Sequence, residues 1–199
     1  MKAHIVVNKT LSSFDIKNSI KEIVKDNGYN SDLSDVICNL FDYMEQKKLY
    51  GGCFALSSVL YVAVSELCYD CKIIVGECKN SGMKPFDHSW ITIDDKIVDL
   101  AIYYPLTQII NSVSAPIILN KEVVTNKHVY VEYGINTGLM LSDDLQKVIY
   151  TPFNDYMSNY PNDANGLWGV LREIMPKHYR CDINMLKDIY KDTQRVLIR

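Results

Sequence analysis

Ten residues starting at Phe54, Phe54-Ala55-Leu56-Ser57-Ser58-Val59-Leu60-Tyr61-Val62-Ala63, hold no charge and follow a Gly51-Gly52 break. Leu56, Val59, Leu60, Val62 and Leu67 spread over so much of a helical surface that a helix from Cys53 or Phe54 to Leu67 has to be buried on most sides. The rest of the chain has to be arranged around it. The run is interrupted by Ser57, Ser58, Ser65 and Glu66, so it is a central helix and cannot span a bilayer.

The flanking patterns supply the covering layers. Phe14, Ile16, Ile20, Ile23 and Val24 recur at helical spacing over residues 12–26 and stop before Asn27-Gly28. Leu33, Val36, Ile37, Leu40, Phe41 and Met44 do the same over 31–48, with Ser31 or Asp32 as N-cap. Lys72–Glu77 reads as a short strand, 80–87 as a loop, and His88–Ile93 with Lys96–Leu100 as a hairpin around Asp94-Asp95. Tyr103–Ser114 reads as a helix start followed by loop, and Val129–Tyr133 as a strand. Residues 150–165 read as a loop with a turn of helix; Leu167–Met175 and Ile183–Leu197 read as helices, the second capped by Asp182. The expected class is α+β, one domain over 1–199 with a helical C-terminal appendage at 150–199.

With 48% apolar and 23% charged residues, the 199-residue chain can build an ordinary globular core. A net charge of −3 and scattered lysines give no nucleic-acid footprint. No signal peptide or membrane span is read, so a cytoplasmic setting is expected, with the six cysteines (38, 53, 68, 71, 78, 181) mostly reduced.

Three residues carry the chemical signal. Cys53 opens the central helix, where free N–H groups and the helix dipole favour a thiolate, and Gly51-Gly52 leaves room for a substrate backbone. The Cys53 N–H can donate to an oxyanion. In the hairpin, a two-residue turn pairs Ile93 with Lys96 and Trp90 with Asp99. His88 then shares a face with Asp99, about 7–8 Å away along the diagonal, within reach of a His–carboxylate hydrogen bond. Each residue also has a structural reading: Cys53 as a small buried hydrophobe, His88 as a strand-edge histidine, Asp99 as a turn cap. The three together favour a nucleophile, its base and the base's orienter.

Gly51-Gly52-Cys53-Phe54-Ala55-Leu56, Ile74-Val75-Gly76, Asp87-His88-Ser89-Trp90-Ile91 and Ile97-Val98-Asp99-Leu100 resemble the core of the transglutaminase-like superfamily, which has the papain-like cysteine protease fold. The resemblance covers residues 50–101. It implies a papain-like core, with the Cys-bearing helix packed on an antiparallel sheet carrying His and Asp. It also implies Cys53 as nucleophile, His88 as base and then acid, and Asp99 as orienter. Papain-like enzymes often take a second oxyanion donor from a Gln shortly before the Cys. Here Gln46 stands one place further away, Lys47 holds the expected position, and Tyr50 or a backbone group such as that of Gly52 is the alternative. Trp90 is read as a wall of the site or as core.

The implied activity is a thiol hydrolase of peptide or amide bonds acting on a peptide or protein substrate without a cofactor. The alternatives are acyl transfer to an amine, of transglutaminase or arylamine N-acetyltransferase type, and a catalytically silent peptide-binding scaffold. The N-acetyltransferases typically carry an Arg before the Gly-Gly, where this chain has Tyr50. Cys68, Cys71, Cys78 and His88 could be written as a zinc site, but the intervening strand and the competing role of His88 argue against a metal.

Overall fold

The computed structural model describes residues 12–80, 84–106, 115–128, 130–138, 140–161, 165–179 and 182–198. Its first half is three helices: α1 (Ser13–Asp26), α2 (Ser31–Lys47) and α3 (Cys53–Glu66). Ser12 and Asp15 form a reciprocal capping box that starts α1. Asn30 caps α2, its side chain accepting from the Leu33 N–H at 3.1 Å. The expected caps, Ser31 and Asp32, already lie in the first turn. Asn30 wins because its backbone is still extended there, which frees its amide oxygen to reach forward. Buried residues occur all round α3, from Cys53 to Val64, as its composition requires.

The helices pack on a seven-stranded sheet with the order β5-β4-β3-β2-β1-β6. Its strands are β1 (Cys71–Lys79), β2 (Phe86–Ile93), β3 (Lys96–Asp99), β4 (Ile117–Ile118), β5 (Lys121–Glu122), β6 (Glu132–Ile135) and β7 (Val196–Ile198). The pairings are antiparallel except for β7, which joins β1 in parallel from Ile74↔Val196 to Gly76↔Ile198. Asp94 and Asp95, with φ of 48° and 61°, form the two-residue turn between β2 and β3 and set Ile93 opposite Lys96. The sheet is buried on both faces. Ile73, Ile91, Ile93 and Val98 join the main core with α1–α3, while Ile74, Cys78 and Trp90 form a second cluster on the other face. Ser57 on α3 and Ser89 on β2 meet at 2.7 Å, and Ser89 also donates to the Ile74 carbonyl.

Four further helices follow: α4 (Asp143–Tyr150), α5 (Phe153–Ser158), α6 (Leu167–Ile174) and α7 (Ile183–Tyr190). Phe153, Met157, Trp168 and Leu171 are buried in the same core as α3. The helix expected over Ile183–Leu197 ends at Tyr190, and Val196–Ile198 is a strand. Its apolar spacing fits both periods, and the open edge of β1 takes these residues as sheet. The strand expected at Val129–Tyr133 lies at Glu132–Ile135, and the helix expected from Tyr103 is a single 3-10 turn over Ala101–Tyr103. Ser142 caps α4, a helix the periodicity reading passed over. Gly82, residues 107–114, Val129, residues 162–164 and Cys181, all inside earlier readings, lie outside the described residues. No helix among the described residues is long and apolar enough to cross a membrane.

Candidate active site

The hairpin turn decides the position of His88. With Ile91 opposite Val98 and Ile93 opposite Lys96, His88 and Asp99 fall on one face, and the diagonal gap closes to a hydrogen bond. His88 Nε2 lies 2.6 Å from Asp99 Oδ2, with His88 4% and Asp99 2% exposed. Asp99 is held from two more directions. The Tyr133 hydroxyl donates to Oδ2 at 2.7 Å and the Ile102 N–H donates to Oδ1 at 3.1 Å. The carboxylate therefore accepts three hydrogen bonds, which compensates its removal from water.

Cys53 lies near enough to His88 for its side chain to help hold a proton on the ring. Nε2 is committed to Asp99, which leaves Nδ1 as the ring nitrogen open to another partner. Cys53 is the first residue of α3 and follows an N-cap, Gly52, that makes no side-chain capping bond. The first-turn N–H groups are thus left to whatever lies beside the thiol. Burial opposes a charge on His88, but the Asp99 carboxylate outweighs it, with Cys53 adding to the effect, and the imidazolium pKa is raised. The environment therefore favours a charged imidazolium beside the sulfur.

Aromatic rings enclose the imidazole. Trp90 is stacked 6.3 Å from His88 at an interplanar angle of 17°, and Phe86 meets it edge-on at 5.6 Å. Trp90 is thus both a wall of the site and core. Tyr133 touches Trp90 at 4.9 Å and seals the Asp99 side. Burial pushes its phenol well up, with Asp99 adding to the shift, so Tyr133 stays a neutral donor. Buried Cys78 lies close enough to Asp99 and Cys53 to feel both, and burial first of all drives its thiol pKa far up. It is a neutral neighbour of the site.

The other expected participants are Gln46, Tyr50 and Gly52. Gln46 is exposed on the last turn of α2. Tyr50 is 44% exposed and packs on Tyr104 at 5.0 Å. Among the described residues neither makes a hydrogen bond to Cys53, His88 or Asp99. A Cβ on Gly52 would make a tight 3.3 Å approach to Leu49 Cβ. Cys68 is exposed, Cys71 bonds Ser65 at 3.2 Å and Cys78 is buried. Among the described residues no group of three or more His, Cys, Asp or Glu side chains could hold a metal ion.

Tyr133 is the participant that the sequence reading missed. It lies in a segment read as a strand, but only the pairing of β6 with β1 brings it to Asp99. No family model, curated protein or solved structure matches this chain.

Proposed function

We propose that the chain is a thiol hydrolase of peptide or amide bonds working through Cys53, His88 and Asp99 on a papain-like core. The observation that carries this reading is a buried His88–Asp99 pair at 2.6 Å, with a thiol that opens a helix close enough to influence the ring. A structural histidine needs one partner; this one has an orienting anion on one side and a nucleophile on the other.

The reaction follows from those contacts. The Cys53 thiolate attacks the carbonyl carbon, a C–S bond forms, and the electron pair moves to oxygen. We assign the N–H of Cys53 as a donor to that oxygen, as its position at a helix start allows. The tetrahedral intermediate collapses with cleavage of the C–N bond, and His88 gives its proton to the departing amine. Neutral His88 then takes a proton from water as its oxygen attacks the thioester. The C–S bond breaks, the acid product leaves, and the thiolate–imidazolium pair is restored. Asp99, fixed by Tyr133 and Ile102, holds the ring through both halves. Five described cysteines are free, which suits the reducing cytoplasm we assign to the protein.

The test is limiting iodoacetamide at about pH 6, where an ordinary thiol is almost wholly protonated. Peptide mass spectrometry then reads the modified residue in wild type and in His88→Ala. Selective alkylation of Cys53, lost in the variant, is expected. Slow labelling spread over the accessible cysteines in both proteins would sink the proposal.

A further inference from the structure

Arg195, immediately before β7, is a cation without a counter-ion among the described residues. Its guanidinium lies 5.2 Å from the Phe153 ring centroid and 5.0 Å from that of Tyr156, both on α5. One nitrogen, Nη1, donates to the Thr151 carbonyl at a long 3.3 Å. The other, Nη2, is buried and has no hydrogen-bond partner. Ring faces attract the charge but accept none of the in-plane N–H bonds of a guanidinium. A buried donor left this way is unfavourable, and so is a partly buried cation with no anion beside it. Burial accordingly lowers the Arg195 pKa, and no carboxylate pairs with it among the described residues.

Tyr156 extends the pattern toward the thiol. Its hydroxyl makes no hydrogen bond among the described residues. Burial raises its phenol, the neighbouring Tyr160 and the charge of Cys53 add to that, and Arg195 opposes it. Tyr156 therefore touches the guanidinium with its ring and lies in electrostatic range of Cys53. Phe153 anchors the same helix on α3 through an edge contact with Tyr61 at 6.1 Å. One buried guanidinium nitrogen without an acceptor, beside a phenol that makes no protein hydrogen bond among the described residues, fits an acceptor that carries negative charge and several lone pairs.

We propose that Arg195 and Tyr156 bind a carboxylate of the substrate, so that the amide cleaved at Cys53 belongs to an acidic or carboxyl-terminal peptide segment. This rests on the hydrolase reading for its link to Cys53, but the anion site stands on Arg195 itself. Once the Arg195 side chain turns to bring Nη2 out of its buried position, a planar carboxylate offers one oxygen to it and the other to the phenol.

The experiment is calorimetric titration of the full chain with N-acetylglycine and with its uncharged amide. The acid should bind at least about tenfold more tightly, the scale of one charge-assisted hydrogen bond. Arg195→Gln should abolish that preference. Tyr156→Phe keeps the ring against the guanidinium and should reduce the preference several-fold with an unchanged melting temperature. If Arg195→Gln fails to fold, Tyr156→Phe decides the matter alone. Equal binding of acid and amide by wild type, or a preference that survives the substitutions, overturns the proposal. Alkylation of Cys53 by N-iodoacetylglycine and by N-iodoacetylglycinamide supplies the separate reading. A faster reaction with the acid that depends on Arg195 places the site beside the thiol. Reaction of Cys53 with both at equal rates refutes that placement. Inert Cys53 with carboxylate binding intact removes the hydrolase reading and keeps the anion site.

Discussion

Asp99→Asn separates an orienting carboxylate from a merely buried one. Asn keeps one acceptor oxygen where Asp99 serves three donors: His88, Tyr133 and the Ile102 N–H. If that oxygen stays on Ile102, the amide NH2 faces His88 Nε2, which must then accept. The ring proton moves to the Cys53 side, and a neutral imidazole in that tautomer cannot take a proton from the thiol. Loss of one charge-assisted hydrogen bond is worth about 1.5–3 kcal/mol, or roughly 1–2 pH units on the imidazolium. A thiol without an imidazolium partner is only about 0.3% ionised at pH 6, so alkylation of Cys53 at that pH should fall on the order of 100-fold. At pH 9 the two rates should converge. The assay is the second-order rate of iodoacetamide labelling from pH 4 to 9, followed by mass spectrometry. Superimposable profiles would refute the reasoning.

The same substitution should invert a stability profile. The His88 pKa is pushed up to about 10 in the folded state, so its protonation stabilises wild type fully below the unfolded value near 6.5, and that contribution declines as pH rises from there through the folded value. Without Asp99, burial dominates and lowers that pKa, so stability falls instead as pH drops below about 6.5. Wild type should therefore lose melting temperature as pH rises from about 6.5 to 9, and the variant as pH falls from about 6.5 to 5.

Tyr133→Phe keeps the ring against Trp90 and removes one bond to Asp99; a loss of about 1.5–3 kcal/mol in urea unfolding is expected, together with a downward shift in the pH at which Cys53 labels. A loss below 0.5 kcal/mol would mean that the hydroxyl contributes no net support. Trp168→Ala empties a fully buried site in the shared core and breaks the 3.2 Å bond to Ser158, so about 3–5 kcal/mol should be lost in one cooperative transition. Two separate transitions would show that the C-terminal helices fold independently of α3.

The parts legible in the sequence were those governed by neighbours along the chain. Cys53 at a helix start followed from Gly51-Gly52 and an uncharged apolar run. The facing of His88 and Asp99 followed from counting outward from Asp94-Asp95, because strand parity is fixed by turn length. What escaped depended on distant partners. Tyr133 reaches Asp99 only through the pairing of β6 with β1. Val196-Leu197-Ile198 continues a helical spacing on paper and becomes strand because β1 has an open edge at Ile74–Gly76. Arg195 carried no motif; its isolation shows only when Phe153 and Tyr156 close around it. The α4 start was readable, since Ser142 precedes Asp143-Asp144, an ordinary cap with acidic first-turn residues.

The parallel seam between β1 and β7 also orders events in time. Ile74 and Val196 are partners separated by about 120 positions, so closing that loop is a late and entropically expensive step. During synthesis, the segment bearing Cys53, His88 and Asp99 emerges well before Val196–Ile198. Until then β1 exposes a bare edge beside Gly76, where any side chain would collide with the Ile198 carbonyl. A nascent chain therefore meets its greatest risk of strand-to-strand aggregation with the reactive residues already made, and the last strand ends that exposure.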